Sequence, residues 1–198
     1  MIPGTDGKVV AAMSGGVDSA VAAALLVREG LPVVGITLRV WPSLRPVQAD
    51  ARFDSCCSPA AVEDARGVAA QLGIPHYVLN YEAEFDREVI QYFTDAYLAG
   101  ETPNPCVPCN SRLKFGSLLT RARGWGAERV ATGHYARIQR DPGTGRYQLR
   151  RAVDSRKDQS YFLYILTQEQ LAAARFPVGH LTKEETRRIA AELGLGVA

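Results

Sequence analysis

Short, nearly continuous apolar runs alternate with longer mixed stretches over the first two thirds of the chain. Lys8–Met13 (KVVAAM), Leu31–Leu38 (LPVVGITL), Pro75–Asn80 and Arg129–Thr132 have the length and apolar density of strands buried on both faces. Between them, Ser19–Glu29, Ser58–Leu72, Glu82–Leu98 and Ser111–Arg123 read as helices. Ser58 is a serviceable N-cap with Pro59 at the first helical position, and Gly73 stops that helix. Regular β–α alternation predicts an α/β fold, a parallel sheet flanked by helices. Trp41–Cys57 is irregular. Ala99–Asn110 contains three prolines and is expected to be a structured loop, not a helix or central strand.

Beyond Gly133 the pattern changes. Tyr135–Gln139 and Arg146–Val153 fit a hairpin across the turn-rich DPGTG, and Gln159–Ile165 and Lys183–Leu193 look helical. YFLY, Tyr161–Tyr164, reads as a core-packing helical turn. A small helical and β-hairpin extension is therefore expected at the C-terminal end. The organisation expected is one domain over residues 1–153, then the start of a further region over 154–198. The chain ends at Ala198 just after a helix, as a fragment would.

Composition narrows the class without choosing a function. Of 198 residues, 46% are hydrophobic and 22% charged, which excludes global disorder and supplies a core. The longest apolar run, around Ala20–Val27, is too short to span a membrane, and MIPGTDGK lacks a signal-peptide core. Four cysteines, in the tight pairs Cys56–Cys57 and Cys106–Cys109, are too few for a disulfide scaffold. A reducing, cytoplasmic setting follows as the expectation. The net charge of +2 conceals an asymmetry: residues 112–157 carry twelve Lys or Arg against three Asp or Glu. That tract fits a surface for a nucleic-acid backbone. A solvated face with scattered arginines competes for Arg121–Arg129.

Two stretches carry chemistry. SGGVDS, Ser14–Ser19, follows a strand and opens a helix, so its backbone N–H groups and the helix N-terminus favour an anion. Asp18 is unexpected in an anion site unless it holds magnesium or orients the loop. Spacing alone fits a capped helix after a glycine turn equally well. The loop lacks the lysine of a Walker A sequence. In TPNPCVPCNSRLKF, Cys109 is expected to stand just before a helix capped by Asn110 or Ser111. Arg112 and Lys114 lie nearby, a setting that lowers a thiol's pKa. Half a zinc site or a redox dithiol are the competing readings, though no second C-x-x-C or H-x-H pair exists. His134, beside Gly133 at a strand end, suits a structuring or phosphate-adjacent role as well as a base. His76 and His180 look structural.

SGGVDS after a strand resembles the PP-loop signature of ATP pyrophosphatases, which cleave ATP between the α and β phosphates and adenylate an oxygen. The chain as a whole resembles the bacterial tRNA-specific 2-thiouridylase family. The resemblance rests on MSGGVDS, TPNPxxxCNxxxKF, ATGHYAR, DSRKDQSYFLY and FPVGxLTKxExR, in that order. It implies thiolation of the wobble uridine, position 34 of tRNA, at C2. It implies an ATP cradle of Ala12, Met13, Ser14, Gly15, Gly16, Val17, Asp18 and Ser19, with Leu38 and Gly133 bordering adenine or ribose. Magnesium would accompany the ATP. Asn104, Pro105 and Cys106 would approach the target base, Cys109 matches the catalytic cysteine, and Lys157, Asp158 and Gln159 match a tRNA-contacting segment.

Two departures from the family pattern matter. Many members carry Asp where this chain has Cys106. The resulting C-x-x-C resembles members suspected of holding an iron–sulfur cluster, with Cys106, Cys109 and a third cysteine expected after Ala198 as ligands of a [4Fe–4S] group. The persulfide-carrying cysteine of the family, in a segment resembling K-x-D-S-x-x-I-C, is expected after Ala198. Sulfur would come from a relay protein or a cysteine desulfurase. The rivals are another PP-loop pyrophosphatase, such as a synthetase or a different tRNA thiolase, a disulfide-exchanging sulfur carrier, and an RNA-binding module.

Overall fold

The computed structural model describes residues 7–40 and 59–197. The irregular Trp41–Cys57 stretch, the Cys56–Cys57 pair and the Ser58 cap lie outside them. Five strands form one parallel sheet: β1 Lys8–Ala12, β2 Val33–Arg39, β3 His76–Asn80, β4 Ala127–Ala131 and β7 Ala174–Arg175. Their spatial order is β3-β2-β1-β4-β7. The fold is thus the α/β parallel sheet that the alternation predicts. Central strands need apolar residues on both sides, and β2 is buried from Val33 to Leu38. Val10, Val34, Ile36 and Val130 face one core, and Val9, Ala11, Val33 and Ala131 face the other.

Helices α1 (Val17–Arg28) and α2 (Pro59–Gln71) cover the second face. The first face is covered by α3, residues 82–98, and α4, residues 106–124. Both long helices carry a π-helical stretch, Asp86–Gln91 in α3 and Cys109–Ser117 in α4. The widened turns of α4 are braced from outside, because Gln170 Nε2 donates to the carbonyls of Ser111 and Phe115 at 2.9 and 3.0 Å. Phe115 is buried there, edge-on to Phe176 with ring centroids 5.7 Å apart.

Strands β5 (Ala136–Arg140) and β6 (Tyr147–Arg151) form the expected antiparallel hairpin. Four expectations need correction. The helix expected from Ser111 begins at Cys106, because Pro105 is its N-cap residue and Pro108 falls in its first turn, where no backbone N–H is required. The segment Gln159–Ile165 forms only a 3-10 turn, Ser160–Phe162. Its start is tied down by Asp158, which accepts from Ala152 N, and Gln159, whose N–H donates to the Tyr135 carbonyl. Only Leu163 of YFLY is fully buried; Tyr161 and Tyr164 are exposed. Helix α5 (Gln168–Ala173) and strand β7 were not expected. The Thr167–Gln170 capping box marks the start of that helix.

Chain beyond residue 153 joins the same layers. β7 pairs with β4, and α6 (Lys183–Glu192) packs on α1 through Ala190 and Leu195. Another capping box, Thr182 with Glu185, sets the start of α6.

Candidate nucleotide and thiol site

The turn after β1 is built around two close approaches. Gly15 has φ +80°, and a Cβ there would lie 2.3 Å from the Ala61 carbonyl oxygen, so only glycine lets α2 pack on the loop. A Cβ on Gly133, at the end of β4, would lie 2.6 Å from the Asp18 carbonyl carbon and the Ser19 nitrogen. Ser19 Oγ donates to the Gly16 carbonyl at 2.9 Å and accepts from Ser14 N at 3.1 Å, closing the loop on itself. Gly16 is the N-cap of α1, in extended conformation and without a side-chain cap. The first-turn N–H groups of α1 therefore face the loop as anion donors.

Asp18 is held from two distant parts of the chain. Its Oδ1 accepts from Tyr135 Oη at 2.9 Å and pairs with Lys183 Nζ at 2.6 Å. Tyr135 Oη is also 3.0 Å from Thr186 Oγ1. Burial, with the neighbouring Asp18 charge, pushes the Tyr135 phenol well above its usual range. It remains a neutral donor.

A cavity of about 360 Å³ opens at the C-terminal ends of β1, β2 and β4. This is where parallel sheets bind ligands. One wall is Ala12, Met13, Ser14, Asp18 and Ser19; Ile36, Leu38 and Val40 form its apolar floor. Cys109, Lys114, Thr132, Gly133, His134 and Gln159 also line it, with Gly133 packed against Asp18 and Ser19. Lys114 Nζ donates to Asn110 Oδ1 at 3.0 Å. Thr132 Oγ1 and His134 Nδ1 are 2.7 Å apart. Burial, and secondarily the Lys114 charge, hold the His134 imidazole well below its ordinary range, so it is neutral near pH 7.

Of the residues singled out in the sequence, Ala12, Met13, Ser14, Asp18, Ser19, Leu38, Gly133, Cys109 and Gln159 meet in this one cavity. Gly15, Gly16 and Val17 complete the loop behind it. Cys109 does not precede the helix. It lies one turn in, half-buried, while the exposed Cys106 takes the helix head, with its N–H donating to Asn104 Oδ1 at 3.0 Å. Asn104, Pro105 and Cys106 form the N-terminal end of α4. Lys157 is exposed. Asp158 is turned inward instead, accepting from Ala152 N, Ser160 Oγ and Arg151 Nε at 2.8, 2.8 and 3.3 Å. Gln159 Oε1 accepts from Tyr135 N at 2.9 Å. Sequence reasoning missed Lys114, Thr132, Tyr135 and Lys183 as parts of the site; the lysines did stand in quoted motifs, KF and LTKxExR.

Asp18 is the one carboxylate of the loop, and with its Oδ1 engaged by Tyr135 and Lys183 a magnesium ion there would keep most of its ligands as phosphate and water. A [4Fe–4S] cluster would need a ligand beyond the two cysteines of the C-x-x-C. Among the described residues no group of three His, Cys, Asp or Glu side chains converges, and Cys106 and Cys109 supply only two thiols.

A parallel sheet with a glycine-turn loop opening α1 after β1 and a cavity at its strand ends defines an α/β domain with a candidate ligand site at the sheet's C-terminal edge. The chain belongs to the family described as tRNA methyl transferase HUP domain, matched over residues 7–198. A relative in Heliobacterium modesticaldum, called tRNA-specific 2-thiouridylase MnmA, is 56% identical over 190 residues, covering 96% of this chain and 49% of that protein. One of the same name in Clostridium perfringens is 54% identical over 194 residues, covering 98% and 53%. The chain thus spans about half the length of the curated relatives it matches. Among solved structures, the NMN synthetase of Francisella tularensis superposes with a TM-score of 0.53 at 19% identity, covering 96% of this chain and 63% of that one. The glutamine-dependent NAD+ synthetase of Acinetobacter baumannii gives 0.55 at 16%, covering 96% and 29%. These two show the shared fold.

Proposed function

We propose that this chain carries the ATP-using and thiol-bearing part of a tRNA 2-thiouridylase acting on the wobble uridine, position 34. The observation that carries the reading is the single cavity joining the SGGVDS loop to Cys109 across the strand ends. Support also comes from relatives named for that activity.

The target C2 carbonyl is a poor electrophile. Its oxygen attacks the α-phosphorus of ATP, the bond to the β-phosphate breaks, and pyrophosphate leaves. Loop N–H groups from Ser14 to Ser19 stabilise the charge that develops on the departing oxygens. Asp18 would hold magnesium, which would supply further charge neutralisation. A cysteine-bound sulfur then attacks C2, and AMP leaves with the former carbonyl oxygen. Cys109, lining the same cavity as the loop, acts at this second step. When the sulfur arrives as a persulfide on a second cysteine, Cys109 displaces it by forming a disulfide, leaving the terminal sulfur on the base. The uridine must leave the anticodon stack to enter. The apolar floor at Ile36, Leu38 and Val40 suits the flat face of adenine.

In this reading Asn104, Pro105 and Cys106 meet the target base at the mouth. Residues 1–153 hold most of the ATP chemistry and residues 154–198 begin the tRNA-contacting region, where Lys157 is an exposed cation. The partners are tRNA and a sulfur-relay protein or cysteine desulfurase, in the cytoplasm. No helix among the described residues is long and apolar enough to cross a membrane.

The test uses the intact protein with tRNA, magnesium ATP and a persulfide donor. Release of AMP and pyrophosphate should depend on tRNA, and mass spectrometry should find 2-thiouridine at position 34. Cys109→Ser should abolish the thiolated base and spare pyrophosphate release. Thiolation by Cys109→Ser removes Cys109 from the sulfur step, and tRNA-independent ATP cleavage points to a synthetase.

A further inference from the structure

The loop that faces the phosphates has an electrostatic deficit. SGGVDS offers N–H dipoles and two hydroxyls, but its one charged side chain, Asp18, has the wrong sign for a polyphosphate. A Walker-type loop answers this with a lysine next to its last glycine; this loop has none. The fold brings one from 165 residues further along. Lys183 Nζ lies 2.6 Å from Asp18 Oδ1, in the first turn of α1. Resting on the nucleotide reading above, we propose that Lys183 is a phosphate ligand for the pyrophosphate end of ATP, the cation the loop itself lacks.

The arm that carries this ammonium is fixed at its root. Lys183 is the first residue of α6, and its backbone N–H donates to Asp154 Oδ2 at 3.1 Å. Asp154 is buried and also accepts from Arg156 N at 3.0 Å. The Thr182–Glu185 capping box holds the helix start from both directions, with Glu185 Oε2 2.7 Å from Thr182 N. Tyr135 gives the ammonium a second neighbour, its ring centroid 5.9 Å away. A four-carbon stem on a fixed root lets the head move between the Asp18 carboxylate and a phosphate oxygen seated on the adjoining N–H groups. Moved off Asp18, the ammonium completes charge balance on the leaving pyrophosphate. This gives the LTKEETR motif a chemical task, and makes the end of the chain part of the nucleotide site.

The experiment is calorimetric titration of the intact protein with magnesium ATP, magnesium pyrophosphate and AMP. Lys183→Met should weaken ATP and pyrophosphate about 10- to 100-fold, the worth of one charge-assisted contact, and leave AMP within about twofold. Lys183→Gln, which keeps a polar arm against Asp18 and Tyr135, should show the same loss, so a folding defect in one variant does not decide the matter. Lys183→Arg should recover most of it. The discriminating background is Asp18→Asn. If Lys183 touches phosphate, adding Lys183→Met to Asp18→Asn weakens ATP further. Equal binding by the single and double variants would mean that Lys183 only holds Asp18, and overturns the proposal. So does an equal loss for AMP. A native protein that does not bind ATP at all overturns the nucleotide reading itself; a native protein that binds ATP, with Lys183→Met unchanged, overturns this inference alone.

Discussion

Adding one methyl group at each of two glycines should move stability in opposite directions. Gly133 ends β4 against the N-terminus of α1, and an added Cβ would stand 2.6 Å from Asp18 C and Ser19 N and 2.8 Å from Asp18 O. Ordinary contact for such an atom begins near 3.4 Å, so strand and helix must separate by about 0.8 Å. The neighbours are backbone and cannot swing aside as a side chain would. Overpacking of this kind costs about 1–3 kcal/mol. For a domain of this size that lowers Tm by about 2–12 °C. The same separation displaces the loop N–H groups, so ATP affinity should fall at least about tenfold. Gly67, in the exposed middle of α2, meets nothing within 4 Å. Gly67→Ala should gain about 0.5–1 kcal/mol from helix propensity. Its Tm should rise by about 1–4 °C with ATP binding unchanged. Differential scanning calorimetry and ATP titration of both variants provide the assay. A Gly133→Ala protein with native Tm and native ATP affinity would refute the close approach of β4 and α1 on which the site geometry depends.

Four further outcomes follow from particular residues. The His134 imidazole is held neutral by burial and Lys114, so the folded state resists a proton that the unfolded chain accepts below about pH 6.5. Stability should be full above that pH and decline as pH falls from 6.5 to 5, and His134→Asn should flatten the decline in urea midpoints; an unchanged slope would refute it. Asp158→Ala removes the acceptor for Ala152 N, Ser160 Oγ and Arg151 and should destabilise by about 1–3 kcal/mol. Lys157→Ala should leave Tm unchanged and weaken tRNA with a shallower salt dependence by filter binding, whereas a large Tm loss would make Lys157 structural. Thr182→Ala breaks the α6 capping box and should cost about 1 kcal/mol by chemical denaturation; no change would mean Asp154 alone fixes that helix start.

The sheet, its order of alternation and the loop after β1 were legible because buried parallel strands and glycine turns leave local marks. KVVAAM and LPVVGITL are apolar in succession since both their faces are covered. The prolines of 99–110 misled because their effect depends on register: at the N-cap and in the first turn they cost a helix nothing. The 3-10 turn at 160–162 could not be read locally, since Asp158 and Gln159 are diverted to partners on β6 and the β4–β5 connection.

By itself, then, the sequence determined the α/β class, the anion loop, the two thiols and the family, since each is written in residues close along the chain. Only the tertiary structure decided that Cys109 and the loop line one cavity and that Cys106 takes the helix head. It alone turned Asp158 inward and set Lys183 against Asp18. The cavity joins residues tens of positions apart, and Lys183 and Asp18 are 165 apart. Their closeness is set by which apolar faces bury together on the two sides of the sheet, and no local pattern of residues carries that information.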